Sequence, residues 1–207
     1  VRTDIIVTAC GRNKYLRRTL RGILERTDTP HTITLLDDSE KRQGIAANIL
    51  QALEMAKSDP FVLTDDDVLC PQTVPDWLER ELAAMQSHPD LALLALNTPS
   101  CNYLSDRRKR QGVDGQVTRC LFVPGHFLMI WHQPLEGCTL DDLAGQSPVK
   151  NLCRWIAKEE RGGVGYLTET YCWHFGVQSA RTDTDISGMC VEPLDMFTLE
   201  PIGELRG

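Results

Sequence analysis

Short apolar runs alternate with helically spaced ones along the first half of the chain. Asp4-Ile5-Ile6-Val7-Thr8-Ala9 is a β-branched run of the kind that forms a strand buried on both faces. Gly11-Arg12-Asn13 breaks it, and Tyr15, Leu16, Thr19, Leu20, Ile23 and Leu24 then recur at helical spacing through Arg26. Thr29-Pro30 ends that helix. Residues 31–36 predict a second strand that closes on Asp37-Asp38-Ser39. A helix is expected over 44–57, with Ile45, Ile49, Leu50, Leu53 and Met55 on its apolar side. Residues 61–64 predict a third strand, running into Asp65-Asp66-Asp67. Strand, helix, strand, helix, strand predicts a parallel sheet with right-handed crossovers.

The second half is less regular. A helix over 74–86 carries Trp77, Leu78, Leu82 and Met85, and residues 91–96 predict a fourth strand. From 97 to 115 the pattern breaks up into what reads as a loop, with the basic run Arg107-Arg108-Lys109-Arg110 inside it. Residues 117–123 and 127–131 predict strands separated by Pro124-Gly125-His126. A polar stretch over 136–147 leads to a helix over 149–159, and Gly162-Gly163 turns into a last strand over 164–173. After Gly176 no period is visible. With no repeat or low-complexity linker, one domain over 1–207 is expected.

Composition adds exclusions. The 207 residues are 42% hydrophobic and 25% charged, a balance that supports a packed core and excludes wholesale disorder. A net charge of −7 weighs against a general nucleic-acid binder, which needs clustered Lys and Arg against phosphates. No uncharged run reaches the ~20 apolar residues of a membrane span, and no signal-peptide pattern opens the chain, so cytoplasm is the default compartment. The eight cysteines lack any C-x-x-C pair, so they read mostly as small buried hydrophobes rather than a zinc site.

The acidic clusters carry the chemistry. Asp37-Asp38 and Asp65-Asp66-Asp67 each follow a predicted parallel strand, at the sheet edge where ligands of open α/β folds bind. Five carboxylates there would repel one another without a cation or hydrogen-bond donors between them. A divalent metal bridging carboxylate to diphosphate is the natural occupant. Turn and helix-capping roles are the plainer reading, and they suit Asp37-Asp38 better than three consecutive aspartates.

In these segments the sequence resembles the GT-A glycosyltransferases, most closely those of family 2. Residues 6–16, through Thr8, Ala9 and Arg12, resemble the family's opening strand and turn. Leu36-Asp37-Asp38-Ser39 is similar to its D-D-x-S strand, and Gly44-Ile45-Ala46-Ala47-Asn48 to the Gly-x-x-x-Asn helix opening. Thr64-Asp65-Asp66-Asp67, with Pro71 behind, resembles the D-x-D metal motif. Tyr171-Cys172-Trp173-His174-Phe175-Gly176 resembles the terminal histidine segment. The likeness is good over 4–90 and loose over 120–176.

The resemblance implies a three-layer, Rossmann-like α/β/α fold with a mainly parallel sheet. Residues 1–96 would be a nucleotide-sugar-binding half, 97–176 an acceptor-binding half and 177–207 a tail. It implies donor contacts from Thr8, Ala9, Arg12, Asp37, Asp38, Asn48, Asp65 and Asp66, with Asp38 at the nucleobase. It implies Mn2+ or Mg2+ held by Asp66, Asp67 and His174, the register within the triple Asp staying open. His126 falls where the family lines its acceptor pocket, though a core or loop histidine fits as well. The implied activity is transfer of a sugar from a UDP- or GDP-linked donor to a sugar, glycan or other hydroxyl-bearing acceptor.

The helix that should begin with a catalytic acid instead reads Pro148-Val149-Lys150-Asn151. Asp141 and Asp142 are then the nearest candidates for a base, with Glu136 behind. A retaining mechanism without a dedicated base, or a nucleotide-sugar-binding module without turnover, stays open. A nucleotidyltransferase ranks lower, because Ala9-Cys10-Gly11-Arg12 lacks the glycine-rich triphosphate loop. The 107–110 run reads as a solvated loop or as a basic lid over an anionic ligand.

Overall fold

The computed structural model describes residues 2–11, 13–40, 43–71, 74–98, 110–145 and 147–174. In chain order the elements are β1 (Thr3–Ala9), α1 (Asn13–Glu25), β2 (His31–Asp37), α2 (Ile45–Met55), β3 (Phe61–Asp65), β4 (Val68–Leu69) and α3 (Trp77–Ser87). They continue with β5 (Leu91–Asn97), β6 (Arg110–Asp114), β7 (Val117–Cys120), β8 (Leu128–Ile130), the single turn α4 (Leu140–Leu143), α5 (Pro148–Lys158), β9 (Gly163–Tyr171) and β10 (Trp173–His174).

Eight strands form one sheet in the order β2-β1-β3-β8-β5-β9-β7-β6. Only β8 and β7 run against the rest, so the sheet is mainly parallel in direction. The β-branched run of β1 is buried on both faces, as its lack of alternation requires. Ile6 points into one core with Ile49 of α2, Leu143 of α4 and Leu152 and Ile156 of α5. Ile5 and Val7 point into the other with Ile23 of α1 and Trp77, Leu78 and Met85 of α3. Each fully buried aliphatic side chain contributes roughly 1.5–3 kcal/mol. The three-layer α/β/α expectation holds.

Loops are fastened by carboxylates. Asp76 caps α3 through the amides of Leu78 and Glu79, and its other oxygen accepts from the amide and hydroxyl of Thr29. That carboxylate joins the start of α3 to the loop before β2, where an alanine cap would cost about 1 kcal/mol.

Two expectations need correction. The segment expected to be a loop through 115 contains β6, hairpinned to β7 across Gly115-Gln116 with Gly115 at φ 57°. All five β6 residues are exposed, so no apolar alternation announces this edge strand. The last strand also divides at Cys172, whose amide donates to Asn97 O (2.8 Å). Residues 173–174 leave the main sheet and pair antiparallel with β4. No helix among the described residues is long and apolar enough to cross a membrane.

Candidate functional site

Parallel register brings the ends of β1, β2 and β3 to one edge. Thr8 lies beside Asp65, and Ala9 beside Asp37. Thr8 Oγ1 donates to Asp65 Oδ1 (3.0 Å) and to Thr64 O (3.3 Å), which holds the Asp65 carboxylate at the rim. Asp37 is exposed, with Oδ1 accepting from the Ser39 amide (2.9 Å); the Ser39 hydroxyl, then that amide, pull its carboxyl below the usual range.

Asp38 is turned inward and 3% exposed. Its oxygens accept from Gln43 N (2.7 Å), Gly44 N (3.1 Å) and Asn48 Nδ2 (3.3 Å). It therefore serves as an outside cap for α2, which has no side-chain cap of its own at Gly44. The backbone need at a helix start, invisible as such in the D-D-x-S run, claims Asp38 and Asn48 together.

The three consecutive aspartates have three different surroundings. Asp65 sits at the rim with its side chain 29% exposed. Asp66 is fully buried, with Oδ2 accepting from Cys10 N (2.8 Å) and its carbonyl from Thr19 Oγ1 (2.9 Å). It braces the turn after β3, so a ligand role for it in the metal shell competes with a structural one. Asp67, 1% exposed, approaches His174 Nε2 at 3.4 Å from Oδ1.

Two histidines close the group. The loop before β8 brings in His126, and Phe127 N donates to Thr64 Oγ1 (3.3 Å) to fix that loop on β3. His126 Nδ1 lies 3.9 Å from Asp65 Oδ2, and its ring stacks on His174 at 4.1 Å between centroids. His174 comes from β10, where it pairs opposite Val68, next to Asp67. One ligand atom each from Asp65, His126 and His174 fall within 4.8 Å of one another. Burial, then the neighbouring His174, holds the His126 imidazolium pKa well below its ordinary value, with Asp67 opposing. A neutral imidazole has a ring lone pair to offer, so two imidazoles and a carboxylate suit a divalent transition metal.

The sequence suggested Asp66, Asp67 and His174 for a metal; the structure groups Asp65, His126 and His174, sets Asp67 beside His174 and turns Asp66 to Cys10 N. The signal for His126 was the Pro-Gly-His turn between two strands, which carries no spacing to a distant cluster. Asp141 and Asp142, the base candidates, lie on the single turn α4. Asp142 Oδ2 accepts from the amide (2.9 Å) and hydroxyl (2.6 Å) of Thr139 in a capping box, which pulls its carboxyl down. It lines a shallow hollow with Asn151, Arg154, Trp155 and Lys158 along the side of α5. The start of α5 is the part that abuts the loop of His126, since a Cβ on Gly125 would lie 3.3 Å from Val149 Cγ2. Ser147, Pro148 and Val149 supply no acid there. Arg12, Arg107-Arg108-Lys109, Phe175, Gly176 and the 177–207 tail lie outside the described residues, whereas Arg110 opens β6.

Residues 39–132 match the family model described as glycosyl transferase family 2. No curated protein matches the chain by sequence. Among solved structures, A197 from STIV is similar with a TM-score of 0.54 at 17% identity, over 84% of this chain and 86% of that one. S. aureus TarS 1-349 in complex with UDP-GlcNAc gives a TM-score of 0.58 at 13% identity, over 96% of this chain and 64% of that one. GalNAc-T7 with UDP, GalNAc and Mn2+ gives 0.59 at 11% identity, over 84% of this chain and 44% of that one. The chain thus spans less than two thirds of these last two proteins. The fold is thus of the GT-A type, and residues 39–132 are similar to glycosyl transferase family 2.

Proposed function

We propose that this chain is a metal-dependent glycosyltransferase that moves a sugar from a nucleoside diphosphate sugar to an acceptor hydroxyl. The observation that carries the reading is the convergence of Asp65, His126 and His174 beyond β3, with Asp67 against His174. The bound UDP and Mn2+ of GalNAc-T7 and the bound UDP-GlcNAc of TarS support the same class of donor. A divalent cation held by Asp65, His126 and His174 would match the negative charge of the diphosphate as it leaves C1.

The chain's own residues then divide the work. Asp37, exposed at the end of β2, is the carboxylate placed to accept from a nucleobase N–H, a role its inward neighbour Asp38 gives up to α2. Thr8 orients Asp65 by donating to Oδ1, leaving Oδ2 toward His126. Asp66 keeps the turn in shape through Cys10 N.

A second reading, binding of a nucleotide sugar without turnover, is favoured by one observation, the absence of an acid at the start of α5. Donor hydrolysis separates the two. Purified protein with UDP- or GDP-sugars and Mn2+ is expected to release nucleoside diphosphate, and chelation is expected to stop it. Binding of donor without release would favour the non-catalytic module. Release of monophosphate with pyrophosphate would indicate a nucleotidyltransferase.

A further inference from the structure

In the ladder between β10 and β4, Trp173 lies opposite Leu69 and His174 opposite Val68. One step further in the same antiparallel register sets Cys172 opposite Cys70. Both are reduced thiols, each 1% exposed, in the same apolar cluster. The influence of Cys172, added to burial, pushes the Cys70 thiol pKa up, which marks the two as near neighbours.

The type of pair matters. Antiparallel partners alternate between pairs that exchange N–H···O bonds and closer pairs that do not, with Cα atoms ~4.5 Å apart in the latter. The Cys172 amide donates to Asn97 O (2.8 Å) and the Val68 amide to Thr19 Oγ1 (3.2 Å), both away from the ladder. That makes 172/70 and 174/68 the closer pairs, with 173/69 the bonded pair between them. A disulfide requires Cα atoms ~4.4–6.8 Å apart and Cβ atoms ~3.5–4.5 Å apart, within reach of such a pair. Gly22 of α1 leaves room, since a Cβ there would lie 3.4 Å from Cys70 Cβ.

We propose that Cys70 and Cys172 form a cross-strand disulfide that fastens the segment carrying His174 to the segment carrying Asp67. The oxidant is a small disulfide such as glutathione disulfide. One thiolate attacks it and expels one glutathione thiolate. The other then attacks the mixed disulfide and expels the second, so two thiol protons and two electrons leave the protein. Cys172 Sγ gives up its weak bond to Asn97 O (3.4 Å) in the process. Both thiols are buried in the folded chain, so the bond forms while β10 is undocked, during folding, and persists once closed.

The test is to refold the full chain in a glutathione redox buffer, alkylate, digest without reduction and map the linked peptides. A Cys70–Cys172 peptide, a mass lower by about 2 Da and reversal by dithiothreitol are expected. Closing so long a loop should raise Tm by about 5–15 °C, a rise lost in Cys70→Ala and Cys172→Ala. Alkylation of both thiols after oxidation, or pairing of either with Cys10, Cys101 or Cys190, would overturn the proposal. If neither alanine variant folds, the wild-type peptide map alone decides. A second consequence, tighter Mn2+ binding in the oxidised form, rests on the functional reading above, whereas the map does not.

Discussion

Glu81 is a carboxyl on α3 with no exposed surface and, among the described residues, no hydrogen-bond partner at either oxygen. Burial alone pushes its pKa well above the ordinary value of 4.5. A carboxyl whose folded pKa is raised contributes its full stability below the unfolded value, and that contribution is lost as pH rises toward the folded one. Glu81→Gln is therefore expected to raise Tm by a few degrees at pH 8 and to change it little near pH 4.5. Melting curves at the two pH values check this; an equal shift at both would assign the effect to packing instead. Asp37 and Asp38 make a second contrast. The sequence puts them in one motif, with Asp38 at the nucleobase, but Asp38 is buried and accepts three hydrogen bonds at the start of α2. Asp38→Ala should cost about 2–4 kcal/mol, since hydrogen bonds to a buried charge are worth more than ordinary ones. Asp37→Ala should leave Tm within about 1 °C and weaken nucleotide binding. Denaturant melts of both variants, beside titration with a nucleoside diphosphate, read this out. Residue pattern cannot separate two adjacent aspartates, because which one turns inward depends on where the next helix begins.

The elements most legible in the sequence were those with both faces buried or with a strong helical period. β1, β3 and β5 are continuous apolar runs between turns, and α1, α2 and α3 each carry a periodic apolar side. The exposed hairpin strand β6 lacked any such signal, and only Asp114-Gly115 hinted at the turn. β4 and β10 are two residues each, too short for a period, yet β10 carries His174 and β4 pairs with it. What holds β4 in place is Thr19, fully buried on α1, which donates to Asp66 O (2.9 Å) and accepts from Val68 N (3.2 Å). Thr19→Val keeps the volume nearly constant and removes both bonds. It is expected to cost about 1–3 kcal/mol and to weaken Mn2+ binding by loosening Asp67 and the partner strand of His174. Stability lost with no change in metal affinity would place β4 outside the mechanics of the site.

At the scale of the molecule, the mainly parallel sheet was readable from the order of elements, because βαβ connections leave few topologies. The histidine pair was not. His126 and His174 approach only because β8 is inserted between β3 and β5 while the chain after β9 crosses back to β4. The absence of an acid at the start of α5 was legible in the sequence, whereas Asp142 belongs to the capping box of α4. The account's central claim is that Asp65, His126 and His174 hold a divalent cation through which a nucleoside diphosphate binds. The most direct test is calorimetric titration of UDP and of GDP into wild type and His126→Ala, with Mn2+ and after chelation. The account predicts metal-dependent binding of one of them in the wild type and a loss of roughly 10–100-fold in His126→Ala, with the metal-free variant melting near the wild type. Equal affinity with and without Mn2+, or unchanged metal-dependent affinity in His126→Ala, would contradict it.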